Sequence, residues 1–303
     1  MKLKTKDLLT LEELNNNELL GIIDFAIKLK MELKKGKVRP ILKNKTLAMI
    51  FQKPSTRTRV SFETGMFQMG GHALNLSSND LQLSRGESIE DTARTLSRYV
   101  DIIMARVYDH QMIQTLAKNS TVPVINGLSN SFHPCQTLAD LMTIKEKKKL
   151  KGIKIAWIGD GNNVCNSLIY GCSTLGLDVS VATPKGFEPD NNVVKKSKKK
   201  ITLEITCNPE DAVKNADVIM TDTFISIHNL DKKREKKFLP KYQVNPVLMK
   251  KAKTNAIFMH CLPAKRGNEV TSSVIDGPQS VVWDQVENRL HTQKALLASL
   301  LGI

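Results

Sequence analysis

The chain has 303 residues, 41% of them hydrophobic, and that length calls for two cores of ordinary size rather than one. Forty-five Lys and Arg against thirty Asp and Glu leave a formal charge of +15, which fits nucleic acid, a membrane surface or an anionic small substrate without choosing among them. The basic opening MKLKTKDLLTLEELNNNELL lacks a signal-type apolar stretch and no later window reaches about 18 apolar residues, so a protein neither exported nor membrane-spanning is expected.

Leu20, Ile23, Ala26 and Ile27 recur at helical spacing and predict a first helix over 17–35, ending near Gly36. An apolar run at 46–51 then meets KPSTRT and RVSFETGMFQMGG, which reads as strand, turn and a helix closing at Gly70 and Gly71. The same alternation predicts strands at 73–76, 101–107 and 122–125, with helices at 88–99 and 110–118 between them and a helix over 138–149 afterwards. Strands alternating with helices imply a parallel sheet. Gly152 precedes a new strand ending at Ile158, and the pattern resumes: the loop GDGNN, a helix to Leu175, a strand at 178–182, a basic excursion, and strands at 217–221 and 256–259. Trp283 is read as closing a last strand before a terminal helix over 284–301, with Val286, Leu290, Leu297 and Leu301 near one face. The expected fold is α/β: two parallel-sheet domains, at 1–150 and 151–285, and a C-terminal helix at 286–303 that packs back toward the first.

The five cysteines, Cys135, Cys165, Cys172, Cys207 and Cys261, form no CxxC pair and no even framework, which argues against zinc, haem attachment and disulfides and fits a reducing cytoplasm. The lysine runs at 147–149, 195–200 and 232–237 carry almost no interleaved aromatic residue. Single-strand binders also need stacking platforms, so these runs read as solvated faces rather than a nucleic-acid site.

Ser55, Thr56, Arg57 and Thr58 stand where a strand turns into a helix. The first helical turn offers free N–H groups and the positive dipole end, and three hydroxyls and a guanidinium add donors, a combination that binds phosphate. An ordinary Ser or Thr cap with an exposed arginine fits the same four residues. No GxxxxGK[ST] is present, which excludes a Walker loop. Arg106 ends the strand DIIMARV, and His133, Pro134, Cys135 and Gln136 follow a polar loop and open a helix, so their side chains fall at strand carboxyl ends, where open α/β sheets bind ligands. Proline at the first helical position would fix that turn. GDGNNVCNS lacks the third glycine of a dinucleotide turn, and the next strand ends in Ala182 and Thr183 with no acid for a ribose. Asn162 and Asn163 instead offer amides, Asp222 a carboxylate, and His260, Cys261 and Leu262 a thiol and carbonyls at the same kind of rim. For Cys261 a buried structural thiol is the competing reading.

STRT, HPCQ and HCLP, in this order and at these intervals, resemble the aspartate/ornithine transcarbamylase family on the side of its ornithine-using members, over nearly the whole chain. The resemblance implies transfer of a carbamoyl group from carbamoyl phosphate to the side-chain amine of L-ornithine, without metal or organic cofactor, in a homotrimer or a multiple of trimers. It implies that Ser55, Thr56, Arg57, Thr58, Arg106, His133, Pro134, Cys135 and Gln136 hold carbamoyl phosphate, with Gln82 reaching a neighbouring subunit's site. It assigns Asn163, Asp222, Ser226, Ile227, Cys261 and Leu262 to the amino acid, Arg289 to the rim of that site, and catalysis to Arg57, Arg106, His133, Asp222 and Cys261. The family's usual Ser-Met-Gly reads Ser226-Ile227-His228 here, in the loop where amine specificity would change. Putrescine or an N-acylated ornithine are the alternative acceptors, and a non-catalytic anion-binding or nucleic-acid-binding protein is the alternative class.

Overall fold

The computed structural model describes residues 3–77, 81–225 and 234–303. These form two compact units, one of residues 1–142 with 287–303, the other of residues 143–286.

The first unit runs α1 (Asn16–Lys34), β1 (Thr46–Phe51), α2 (Thr56–Gln68), β2 (His72–Ser77), α3 (Ile89–Leu96), β3 (Ile102–Arg106), α4 (His110–Asn119) and β4 (Val124–Leu128), then α5 (Pro134–Lys147), which continues past its end. The order of α1 is set locally: the Asn15 side chain accepts the Glu18 N–H at 3.0 Å while the Glu18 carboxylate accepts the Asn15 N–H at 3.1 Å, a capping box. Strands β1, β3 and β4 are buried along nearly their whole length, which is why they read as unbroken apolar runs rather than alternating ones. Each fully buried Ile or Leu among them contributes about 1.5–3 kcal/mol.

The second unit runs β5 (Lys154–Ile158), α6 (Asn163–Leu175), β6 (Asp178–Ala182), α7 (Asn191–Ser197), β7 (Leu203–Thr206), α8 (Pro209–Val213), β8 (Val218–Thr221), α9 (Glu235–Phe238), α10 (Pro246–Met249), β9 (Ile257–His260) and α11 (Ser272–Ile275), and then enters α12 (Val282–Leu300). The basic excursion after β6 is thus α7, β7 and α8. Its lysines hid a short helix that buries Val193 and Ser197 and exposes Lys195, Lys196 and Lys198.

All the paired strands are parallel, in the orders β2-β1-β3-β4 and β7-β6-β5-β8-β9 among the described residues. In each sheet the chain reverses its direction of travel beside the first strand, between β1 and β3 in one unit and between β5 and β8 in the other. Connections leave such a pair of strands on opposite sides, so a crevice opens at their carboxyl ends.

Two expectations fail at the C-terminus. Trp283 lies in the first turn of α12, largely exposed, because only one isolated bridge, Phe258 to Ser280, extends the pairing before the Gln285 N–H turns back to the Val281 carbonyl. The single apolar face read for the helix is also too narrow. Residues 291–299 are all buried, and the polar His291, Thr292, Gln293 and Lys294 among them have partners within the first unit. Lys294 Nζ donates to Gln68 Oε1 at 3.0 Å and Gln293 Nε2 to Ser61 Oγ at 2.7 Å.

Candidate active site

In the first unit the switch point carries the anion-seeking groups. Ser55 is the N-cap of α2, its backbone extended and its hydroxyl accepting the Thr58 N–H at 3.3 Å. Thr56 and Arg57 open the helix, Arg57 half-buried, while Thr58 points into the unit with 1% exposure. Arg106 pairs with Phe51 in the β1–β3 register, so its buried side chain leaves the sheet at the level where β1 turns into α2, and its carbonyl accepts the Gln52 N–H at 2.9 Å. Arg59, by contrast, turns to solvent and pairs with Glu63 one helical turn on, at 2.9 Å.

β4 delivers the third group. Pro134 is the first residue of α5, and the buried His133 immediately before it accepts the Gln136 N–H at its carbonyl, at 3.1 Å. Cys135 is wholly buried, its thiol donating to the Asn126 carbonyl at 3.5 Å, and burial pushes that thiol up to about 11. Its side chain therefore faces the core, leaving its backbone N–H, on the first turn of α5, as the group it can offer an anion.

Arg289, which the resemblance assigns to the amino-acid site, sits in this first unit. Its Nη1 donates to Gln136 Oε1 at 2.8 Å, its Nη2 to Thr58 Oγ1 at 3.3 Å and its Nε to Gln293 Oε1 at 3.0 Å. Gln136 passes the network on to Asp140 at 2.9 Å. The terminal helix thus braces the α2 and α5 turns with a planar guanidinium whose donors fit several acceptors at once. The contact with Gln136 joins residues 153 apart in sequence, which no local pattern signals.

Lys53 is a further group that pattern reading passed over, although only Pro54 separates it from the STRT turn. Its Nζ lies 3.8 Å above the Tyr108 ring, and burial, with the Arg106 guanidinium adding to it, lowers its pKa to about 8. Gln82 lies exposed in a short 3-10 turn over Gln82–Arg85.

The second unit repeats the arrangement with opposite charge. Asn162 caps α6, its Oδ1 accepting the Val164 and Cys165 N–H groups, while its Nδ2 donates to Asp222 Oδ2 at 2.8 Å. Asp222, just past β8, also accepts the Thr223 N–H at 2.8 Å and the Cys261 thiol at 3.1 Å, both at Oδ1. Asn163 is the first residue of α6 and is buried. Asp160 pairs with Arg234, whose guanidinium lies over the Phe187 ring, and burial raises its carboxyl to about 6, the arginine pulling down and the nearby Asp222 pushing up. The glycines of GDGNN serve packing here. A Cβ on Gly161 would lie 2.2 Å from the Pro189 nitrogen and one on Gly159, at φ +125, would lie 2.9 Å from the Phe224 ring, so the turn is closed by its own chain rather than open to a pyrophosphate.

Asp222, His260 and Cys261 each offer a possible metal-ligand atom, all within 4.8 Å of one another. Both ring nitrogens of His260 are engaged elsewhere, Nδ1 as acceptor of the Leu262 N–H and Nε2 against Glu269, so this group forms a hydrogen-bonded rim as it stands. Ser226, Ile227 and His228 lie outside the described residues.

Two α/β units, one presenting cations and a hydroxyl-rich helix start at its switch point and the other a carboxylate, amides and a thiol, define a protein that handles an anion and an amine-bearing molecule. Residues 6–146 match the family described as aspartate/ornithine carbamoyltransferase, carbamoyl-P binding domain, and residues 151–300 its Asp/Orn binding domain. The chain belongs to the aspartate/ornithine carbamoyltransferase family. It is 63% identical over 301 residues to the ornithine carbamoyltransferase of Cenarchaeum symbiosum, covering 99% of each chain, and 54% identical over 309 residues to the anabolic ornithine carbamoyltransferase of Pyrococcus furiosus, covering 100% of this chain and 98% of that one. The solved ornithine carbamoyltransferase of Pyrococcus furiosus superposes with a TM-score of 0.94 at 56% identity, over 98% of this chain and 97% of that one.

Proposed function

We propose that this protein transfers the carbamoyl group of carbamoyl phosphate to the side-chain amine of L-ornithine, giving L-citrulline and phosphate, in the direction of arginine synthesis. The observation that carries the reading is the Ser55-Thr56-Arg57-Thr58 turn beside Arg106 at a sheet switch point, in a chain similar from end to end to proteins named for this reaction.

Phosphate is the leaving group, so the N–H groups, hydroxyls and guanidinium of the α2 turn stabilise charge that grows on its oxygens as the C–O bond breaks. Arg57, Arg106 and His133 polarise the carbonyl oxygen while the amine attacks its carbon. Pro134 sets the α5 turn, Cys135 contributes its N–H, and Gln136 with Arg289 fixes the amide that faces the donor. On the acceptor side Asp222, Cys261, Asn163, Leu262, Ser226 and Ile227 hold the amino acid. An alkyl ammonium titrates near about 10, so the amine must shed a proton before it attacks, and Asp222 with its thiol partner orients the neutral form. Holding amine and carbonyl carbon in contact supplies much of the remaining acceleration. No metal or organic cofactor enters these steps.

The same reading makes the protein a homotrimer or a multiple of trimers, with Gln82 serving a neighbouring subunit. It also places the protein in the cytoplasm, where a reducing pool keeps all five thiols free, as they are here. Among the described residues no helix is long and apolar enough to cross a membrane.

A citrulline assay with ornithine, putrescine, N-acetylornithine and aspartate as acceptors tests the assignment. Turnover with ornithine at a kcat/KM well above the other three is expected. Preference for another amine would move the substrate, and no product with any of them would reject the activity.

A further inference from the structure

The peptide that carries Cys261 and Leu262 is held from behind by a buried pair. His260 ends β9 with 0% exposure, and its backbone N–H donates to Gln285 Oε1 at 2.9 Å. Its Nδ1 accepts the Leu262 N–H at 2.9 Å, and its Nε2 lies 3.1 Å from Oε1 of Glu269, also 0% exposed. An imidazole whose Nδ1 accepts carries its proton on Nε2, so the ring must donate to Glu269, and its two neighbours fix both tautomer and orientation. The same Glu269 oxygen accepts the Lys265 N–H at 2.6 Å, and the Glu269 carbonyl accepts the Val244 N–H at 2.9 Å, which ties the chain after the rim into the body of the unit.

What this bracing holds is an unfavourable backbone. Leu262 has φ +56, a left-handed conformation that a branched side chain adopts only when its surroundings enforce it. The Leu262 N–H bond to His260 closes the turn at that residue. Relaxing Leu262 toward negative φ would rotate the peptide joining it to Cys261, whose thiol reaches Asp222.

We propose that His260 and Glu269 are positioning residues for the acceptor site, holding the Cys261-Leu262 peptide in the conformation that presents thiol and backbone to the amino acid. The proposal rests on the reading of Cys261 and Leu262 as acceptor contacts. The pair touches no substrate and acts only through the backbone it braces.

Two amide variants of the full-length protein, each able to keep one of the ring's two hydrogen bonds, separate this role from simple packing. In His260→Asn the amide oxygen can still accept the Leu262 N–H, whereas in His260→Gln the longer side chain reaches Glu269 and leaves the Leu262 N–H without its acceptor. Kinetics at saturating carbamoyl phosphate should give a KM for ornithine raised about ten-fold in His260→Gln and by less than about three-fold in His260→Asn, the scale of one buried donor losing its partner. The Kd for carbamoyl phosphate, measured by calorimetry, should stay within about two-fold of wild type in both, since the change is confined to the other unit. Glu269→Gln, which keeps an acceptor oxygen for the ring and is the variant least prone to misfold, should raise the ornithine KM by about two- to five-fold. Equal effects of Asn and Gln, an ornithine KM unmoved by Gln at either position, or a donor Kd that shifts in step would overturn the positioning role. A wild-type protein that makes no citrulline would instead overturn the acceptor reading on which it stands.

Discussion

Arg57 and Lys53 flank the cap of α2 and differ in their chemistry. The Arg57 guanidinium can fork across two oxygens, so its removal deletes preorganised charge stabilisation. Arg57→Ala should lower kcat/KM by about 10²–10³-fold with thermal stability little changed. Citrulline formed at a near-normal rate by a well-folded variant would remove this residue from the reaction. Lys53 titrates: burial and the Arg106 guanidinium bring it to about 8. A dianionic donor favours the ammonium, so the affinity for carbamoyl phosphate should fall as pH rises through that value. Lys53→Met, which keeps the stem and has no titrating group, should flatten this limb. Calorimetric titrations between about pH 7 and 9.5 measure it, and an identical slope in the variant would exclude Lys53 from donor binding.

At the scale of elements, α12 combines a functional brace with a buried acid-sensitive ring. The His291 ring is driven down to about 4, by burial first and then by Lys294, with Lys30 adding and Glu287 opposing. The folded chain therefore keeps the ring neutral at pH values where the unfolded chain, whose histidine titrates at an ordinary 6.5, already binds a proton. The stability tied to this ring is whole above 6.5 and drains away as pH falls toward 4. Urea unfolding midpoints should accordingly fall more steeply on acidification in the wild type than in His291→Gln. Parallel curves would mean that another group carries the acid limb. The same helix shows why a single apolar face drawn from Val286, Leu290, Leu297 and Leu301 was too narrow: Arg289, Gln293 and Lys294 are buried too, each with a hydrogen-bond partner inside the unit. Buried polar residues with partners cost little, and their partners lie 153 to 232 residues away in the chain.

At the scale of the whole molecule, Gln82 tests the assembly. Arg57→Ala and Gln82→Ala subunits, each impaired alone, should recover about a quarter of wild-type activity when refolded together if every site takes Arg57 from one chain and Gln82 from its neighbour in a closed ring. No recovery would place both residues in one chain's site or deny the assembly. Sequence alone decided the alternation of strands and helices, the positions of β1, β3, β5 and β8, and the three short motifs that follow or close β1, β4 and β9, because period, apolar runs and turn chemistry are local properties that survive without knowledge of neighbours. It also decided that the glycines of GDGNN do not make a dinucleotide turn, since the third glycine and the ribose acid are simply not there. Only the tertiary structure decided that Arg289 braces the anion turn, that Trp283 starts a helix, and that His260 with Glu269 holds a left-handed leucine in place. Each of these depends on which distant side chain fills a buried hydrogen bond or blocks a strand pairing, and that choice is made by packing, not by the local chain.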